Sequence, residues 1–177
     1  DRNVAESCHC CSGLGVPGAQ AAGTGRRTPD LSNLDGDARV NAGDAYELFG
    51  KGEQARAAYA SALAIDPKNA WAHRQLGNSA FKAKLLPLAI EHLRAAREGF
   101  PKDYSVPLAL GHAETALGND AAALEAYTAA AQLQPNQSAT HAFVGTALER
   151  MGRRALAEKA FRQAIHVQPN DPLARTL

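Results

Sequence analysis

The side chains best suited to chemistry in this 177-residue chain stand together as Cys8, His9, Cys10 and Cys11. Thiolate sulfur and imidazole nitrogen are zinc ligands, but known zinc sites separate their ligands by two or more residues. Cys8 and Cys11 have CxxC spacing, yet the sequence holds no second such pair. No metal site and no cofactor are therefore predicted, and these thiols are interpreted as reactive, lipidated or incidental. A lipid anchor at Cys8 is not supported, because no apolar signal stretch precedes it.

No other group of residues indicates catalysis. The sequence lacks an HExxH zinc motif, a glycine-rich phosphate loop and a GxSxG nucleophile motif. The six histidines are dispersed, and His73 and His141 occupy one repeat position that is predicted to be structural. His92 and His166 are interpreted as surface or inter-repeat residues. We therefore predict that the protein is not an enzyme.

Composition excludes several classes of ligand. A net charge of +1 with 21% charged residues gives no basis for binding nucleic acid or an anionic membrane. No apolar run approaches the roughly 18–20 residues that span a bilayer. Alanine is abundant whereas valine, isoleucine and phenylalanine are scarce, which favours helix over sheet. The compartment stays open, with the bacterial cytoplasm or periplasm expected.

Four prolines, four glycines and two sets of four alanines recur at intervals of 34 residues, without insertion or deletion. A fixed period in this range marks a stacked array of supersecondary units. The columns are Pro67, Pro101, Pro135, Pro169; Gly43, Gly77, Gly111, Gly145; Ala55, Ala89, Ala123, Ala157; and Ala62, Ala96, Ala130, Ala164. A large residue separates the paired alanines as Tyr59, Leu93, Tyr127 and Phe161.

The pattern within each unit predicts a helix, a short turn, a second helix and another short turn. Apolar residues recur at helical spacing in both halves, and the repeat prolines end the second helix. Gly99 replaces an apolar residue, which predicts an early end for the second helix of repeat two. Pro107 requires a helix that begins near Ser105 or Val106. The predicted boundaries are an extension over 1–35, repeats over 36–69, 70–103, 104–137 and 138–171, and the start of a truncated or capping helix over 172–177.

These columns resemble the tetratricopeptide repeat, with Leu76-Gly77 in a first helix, then Ala89, Leu93 and Ala96, and then Pro101. The resemblance covers residues 36–171. It implies an all-α protein, a right-handed superhelix of four antiparallel helix pairs with a concave groove. It also implies a scaffold that binds a peptide or helix of a partner protein in that groove.

The resemblance also implies which side chains line the groove, because first helices form the inner wall in this family. Trp71 beside Arg74 has the composition of a binding hot spot, although packing on the preceding repeat is an equal alternative. A carboxylate clamp for chaperone C-termini is not expected, since Ala109, Ala139 and Phe143 replace its polar residues. The predicted partner-binding residues are Trp71, Arg74, Asn78, Phe81, Leu108, His112, Phe143, Thr146 and Arg150.

Three functions are compatible with this sequence. The first is a free-standing, non-enzymatic scaffold for a protein or peptide partner. The second is a bacterial assembly factor, such as a pilotin-like outer-membrane component of a secretion or pilus system. The third is a repeat fragment of a larger enzyme. Six residues after Asp171 are too few for the helix that usually shields a last repeat. We therefore expect the C-terminal face to be covered by a second copy of the chain, by a partner or by further sequence.

Overall fold

The computed structural model describes residues 34–169 of the chain. The thiol cluster, the rest of the segment before residue 34 and the predicted helix start at Asp171 lie outside the described residues. In the described part, the helices pair in order along the chain. They are α1 (Gly36–Leu48), α2 (Gly52–Ile65), α3 (Ala70–Lys82), α4 (Leu86–Gly99), α5 (Ser105–Leu117), α6 (Asp120–Leu133), α7 (Ser138–Arg150) and α8 (Arg154–Val167).

Polar side chains accept hydrogen bonds from backbone amides at the starts of three first helices, α1, α3 and α5. Asp35 accepts a hydrogen bond from the amide of Ala38 at 2.7 Å, and Asn69 accepts one from Ala72 at 2.9 Å. Each bond satisfies one of the amides that a helix start leaves without an intrahelical partner. Asp103 accepts a hydrogen bond from the amide of Ser105 at 2.9 Å, which places Pro107 in the first turn of α5 as predicted.

The repeat glycines let the two helices of each pair approach closely. A Cβ atom built on any of them would lie only 2.2 to 2.8 Å from the large residue of the second helix. Real Cβ atoms do not approach heavy atoms so closely, so only glycine fits without displacing the facing ring or leucine. The pairs are Gly43 with Tyr59, Gly77 with Leu93, Gly111 with Tyr127, and Gly145 with Phe161.

The prediction that the second helix of repeat two ends early is wrong. Helix α4 continues to Gly99 and has 14 residues, as many as α2, α6 and α8. Gly99 instead allows close packing, because a Cβ atom at this position would lie 2.2 Å from the Cβ of Ala70. The end of α4 thus lies against the start of α3.

The histidines at the shared repeat position contact the preceding proline turn. The Nε2 atom of His73 lies 3.1 Å from the carbonyl oxygen of Pro67, and that of His141 lies 2.8 Å from Pro135. These contacts join each first helix to the preceding proline turn. The interpretation of His92 is wrong, because its Nδ1 atom lies 2.9 Å from Nδ1 of His73 within one helix pair.

The second helix of each pair packs against the first helix of the next pair. This stacking builds the predicted superhelix. The first helices of neighbouring pairs also contact each other, α1 with α3 and α3 with α5. They therefore form one continuous inner wall, and the apolar core lies between this wall and the outer second helices. Among the described helices, none combines the length and apolar character needed to cross a bilayer.

Candidate functional site

The inner wall formed by α1, α3, α5 and α7 is the candidate site, and we call it the groove. Its N-terminal half contains a cleft of about 600 Å³, which we call the acidic cleft. The side chains around this cleft come from the first two repeats. The acidic cleft is lined by Asp44, Glu47, Leu48, Tyr59, Gln75, Asn78, Ser79, Phe81 and Lys82.

A buried tyrosine orients the first carboxylate of the acidic cleft. The hydroxyl of Tyr59 donates to Oδ1 of Asp44 at 2.7 Å, and Nε2 of Gln75 donates to the same oxygen at 2.6 Å. Burial raises the pKa of Tyr59 far above its ordinary value, and the hydrogen bond to Asp44 adds to the effect. The phenol therefore stays a neutral donor, and Asp44 is held in one position by two repeats.

A second carboxylate lies nearby. Nζ of Lys82 lies 2.8 Å from Oε2 of Glu47, and Ser79 of the neighbouring first helix lies beside the same carboxylate. Burial opposes ionisation, but Lys82 and the hydrogen bond from Ser79 outweigh it and lower the pKa of Glu47. Glu47 is thus charged at neutral pH and is half-buried between these two partners.

The C-terminal half of the groove is aromatic. His112 meets the edge of Phe143 with ring centroids 4.6 Å apart, and Tyr127 stacks on Phe143 at 5.3 Å. The hydroxyl of Tyr127 lies 3.0 Å from Nδ1 of His112 and 3.0 Å from Oγ1 of Thr115. Burial lowers the pKa of His112 and raises that of Tyr127, so both rings are neutral near pH 7.

The acidic and aromatic halves are built on the same repeat positions. His112, Tyr127 and Phe143 stand 68 residues, or two repeats, after Asp44, Tyr59 and Gln75. In both halves a buried tyrosine hydroxyl from a second helix reaches a polar side chain of the paired first helix. One architecture thus presents an acid and an amide in one half and two aromatic rings in the other.

Trp71 and Arg74 lie together, as expected, at the start of α3. Trp71 is 42% exposed and meets Phe100, which follows α4 of the same repeat, edge to face at 6.3 Å. The guanidinium of Arg74 lies 4.0 Å from the centre of the Trp71 ring and pairs with Asp103 at 3.0 Å. Because Arg74 already has a carboxylate partner, it adds no free cation to the groove.

The other predicted residues divide between the two halves. Asn78 and Phe81 line the acidic cleft, while Leu108 is half-buried against the core beneath the aromatic half. Thr146 donates its hydroxyl to the carbonyl of Ala142 in its own helix at 3.1 Å. The guanidinium of Arg150 pairs with Asp120 of the preceding repeat at 2.5 Å.

Three side chains of the site were not predicted from the sequence to belong to it. Tyr59 and Tyr127 were assigned to packing alone, although a phenol at a packing position carries a hydroxyl that needs a partner. Ser79 is 2% exposed and lines the acidic cleft, where its hydroxyl lies beside the carboxylate of Glu47 and helps to lower the pKa of that residue. A polar residue in the apolar face of a first helix was the available signal.

Residues 34–169 bring together no group of three or more histidine, cysteine, aspartate or glutamate side chains that could hold a metal ion. The paired histidines His73 and His92 lie away from the residues that line the acidic cleft. The groove presents carboxylates at one end and aromatic faces at the other.

Family models agree with this geometry. A model described as TPR repeat matches residues 38–83, and two described as tetratricopeptide repeat match 73–138 and 140–171. The chain belongs to the tetratricopeptide repeat family. No curated protein matches the sequence.

Solved tetratricopeptide repeat structures include close neighbours of this fold. MamA AMB-1 in a P212121 crystal is 26% identical, covering 80% of this chain and 78% of that one, with a TM-score of 0.75. A MamA D159K mutant is also 26% identical, covering 81% of this chain and 79% of that one, with a TM-score of 0.75. MamA MSR-1 is 24% identical, covers 80% and 81%, and has a TM-score of 0.73, which supports the fold alone.

Proposed function

We propose that this tetratricopeptide repeat chain is a non-enzymatic scaffold that binds a peptide segment or helix of a partner protein in the groove. The observation that carries the proposal is the aromatic half, where His112 and Phe143 stand half-exposed over a buried tyrosine. Aromatic side chains held rigidly at the centre of a concave surface are the usual anchors of protein interfaces. The neighbouring acidic cleft extends the same surface.

The test compares partner binding by the full chain with partner binding by its Phe143→Ala variant. Loss of this ring should weaken binding by about 2 kcal/mol while helicity is unchanged. Phe49→Ala is the matched control, because Phe49 is exposed in the turn after α1 and outside the groove. Calorimetric titration that gives equal affinities for both variants would move the site off the inner wall.

Trp71→Ala examines the other predicted anchor. Trp71 is exposed and its ring is held between Arg74 and Phe100. If the partner segment reaches the start of α3, this variant should also weaken binding by about 2 kcal/mol. Normal affinity would limit the partner to the centre of the groove.

Self-association through α8 is a second candidate. Ile165 is 41% exposed on this helix, and Ala157, Phe161 and Ile165 lie at i, i+4 and i+8 along a cleft of about 370 Å³. Exposed apolar side chains on one helix face mark association sites on many proteins. Sedimentation of the full chain should show a dimer that Ile165→Glu dissociates. A parent chain that is monomeric at all concentrations would exclude it.

A further inference from the structure

A chain of hydrogen bonds in the aromatic half fixes the position of the proton on His112. The hydroxyl of Thr115 donates to the carbonyl oxygen of Gly111 at 2.8 Å, and a hydroxyl has only one proton to donate. The 3.0 Å contact between the oxygens of Thr115 and Tyr127 therefore takes its proton from the phenol. Because the phenol proton is then used, the 3.0 Å contact between Tyr127 and Nδ1 of His112 requires a proton on that nitrogen.

The second ring nitrogen of His112 is consequently a hydrogen-bond acceptor. A neutral imidazole carries one proton, so a proton on Nδ1 leaves a lone pair on Nε2. Burial lowers the pKa of His112, which keeps the ring neutral at pH 7. Nε2 has no hydrogen-bond partner within residues 34–169 and is not buried, so solvent reaches it at the surface of the half-buried ring.

The equivalent tyrosine of the first repeat uses its proton differently. Tyr59 donates to Asp44, because an ionised carboxylate can only accept a hydrogen bond. In the third repeat Thr115 takes the phenol proton, which leaves the phenol oxygen as an acceptor for His112. The aromatic half thus presents one neutral acceptor of fixed direction, whereas the acidic half presents carboxylates.

We propose that Nε2 of His112 accepts a hydrogen bond from an N–H donor on an apolar ring of the partner segment, the chemistry of a tryptophan indole. The inference rests on the proposed function, since it names the chemistry of the segment that the groove takes. The rings of Phe143 and Tyr127 beside His112 provide the apolar surroundings. A carboxylate would find no free donor, because the proton of His112 is directed to Tyr127 and Arg150 is paired with Asp120.

An indole suits this acceptor better than a hydroxyl does. The indole nitrogen is a donor only, and the rest of the ring is apolar. A phenol or an alcohol also brings lone pairs that need a donor when they are buried, and Nε2 of His112 offers none.

The first test measures the tautomer of His112 in the full chain without any ligand. The chain is labelled with nitrogen-15 histidine, and the resonance that disappears in His112→Phe is assigned to His112. Long-range proton–nitrogen NMR at pH 7.5 separates protonated from unprotonated ring nitrogens and should place the proton on Nδ1. A proton on Nε2 in the parent chain would overturn the proposal.

A variant at a distance from the ring sharpens this measurement. Thr115→Val should move the proton of His112 to Nε2, because Tyr127 then donates to Nδ1, although Thr115 has no hydrogen bond to His112. Thr128→Val is the matched control, since Thr128 donates to the carbonyl of Leu124 within its own exposed helix turn. An unchanged tautomer in Thr115→Val would show that this chain of hydrogen bonds does not fix the proton.

The second test uses indole as the probe and 1-methylindole as its control, because methylation removes the N–H donor. Indole should shift the Nε2 resonance of His112 saturably and bind about fivefold more tightly than 1-methylindole, the contribution of one hydrogen bond. His112→Phe, which keeps an aromatic ring, should bind the two probes equally, with circular dichroism checking that it is folded. Equal affinities in the parent chain, or no saturable shift with indole, would contradict the proposal.

Failure of this inference can be told apart from failure of the proposed function. If Phe143→Ala weakens partner binding but the parent chain does not distinguish the two probes, the groove is the site and His112 is not its acceptor. If the parent chain distinguishes the probes but Phe143→Ala leaves partner binding intact, the aromatic half takes an indole and the proposed function fails.

Discussion

Lys84 occupies a turn position where the other repeats have glycine, and it is the one non-glycine residue with a positive φ in the described part of the chain. It has φ 63° in the turn between α3 and α4, where the other repeats place Gly50, Gly118 and Gly152 at φ 69°, 87° and 75°. The left-handed conformation costs a residue with a Cβ atom about 1–2 kcal/mol, whereas glycine adopts it freely. Repeat two therefore keeps the turn geometry that its neighbours specify, at a local cost in stability.

Lys84→Gly is expected to raise the free energy of unfolding by about 0.5–1 kcal/mol, since glycine's greater freedom in the unfolded chain offsets part of the relieved strain. Gly118→Lys, at the equivalent position of repeat three, should lower it by a similar amount. Urea unfolding followed by circular dichroism measures both. A gain of the same size from Lys84→Ala would assign the effect to the lost charge instead of the backbone.

His92 and His112 make stability depend on pH. Burial lowers the pKa of both below 6.5, and the neighbouring His73 lowers that of His92 further. Below about pH 6.5 the unfolded chain binds protons that the folded chain does not, so the free energy of unfolding falls as the pH drops. Thermal unfolding should show a lower midpoint at pH 5.5 than at pH 7.5.

The variants His92→Gln and His112→Gln should each flatten this dependence. His166→Gln is the control, because His166 is exposed on α8. A pH dependence that survives both substitutions unchanged would place its origin in other groups, such as the carboxylates.

Side chains in the site show what residue types alone can predict. Repeat position assigned His112 and Phe143 to the same wall, and the structure brings their rings into contact. It did not predict that the hydroxyl of Tyr127 would hold His112, because a packing position is recognised by size and not by the polar atom it carries. Hydrogen bonds between helices depend on fractions of an ångström, which spacing does not contain.

At the scale of elements, close packing outweighs helix propensity at the end of α4. Gly99→Ala should destabilise the protein by about 1–3 kcal/mol, although alanine is the better helix former by about 1 kcal/mol. The reason is that the new Cβ atom would lie 2.2 Å from Ala70 and push α3 away from α4. Glu98→Ala, on the exposed neighbouring position, should stay within about 0.5 kcal/mol. Stabilisation by Gly99→Ala would show that the contact yields easily.

The helices themselves could be predicted from sequence because several signals agreed. The helical spacing of apolar residues, the repeat prolines after the second helices and Pro107 in the first turn of α5 all indicated the same elements. The length of α4 was wrong because Gly99 was judged by propensity alone. Its contact with Ala70 joins residues 29 positions apart, and such contacts are visible only in three dimensions.

At the scale of the whole molecule, the array is a row of units that contact mainly their neighbours. Its described end pairs should therefore open more easily than its middle. In helix α8 only Ala157 and Ala164 are buried, whereas α3 and α4 bury residues along most of their inner faces. Hydrogen exchange measured by mass spectrometry should find α3 to α6 most protected and α8 least. Uniform protection would indicate that the array unfolds as one cooperative unit.

The exchange of α8 should also depend on protein concentration if this helix joins two copies of the chain. Association covers Phe161 and Ile165 and adds the binding free energy to the local opening of α8. Protection of α8 should then rise by about tenfold when the concentration rises from well below to well above the dissociation constant, for a gain of about 1.4 kcal/mol. Helix α1, at the other described end, serves as the internal control. Ile165→Glu should remove the concentration dependence without changing α1, and equal changes at both ends would exclude association through α8.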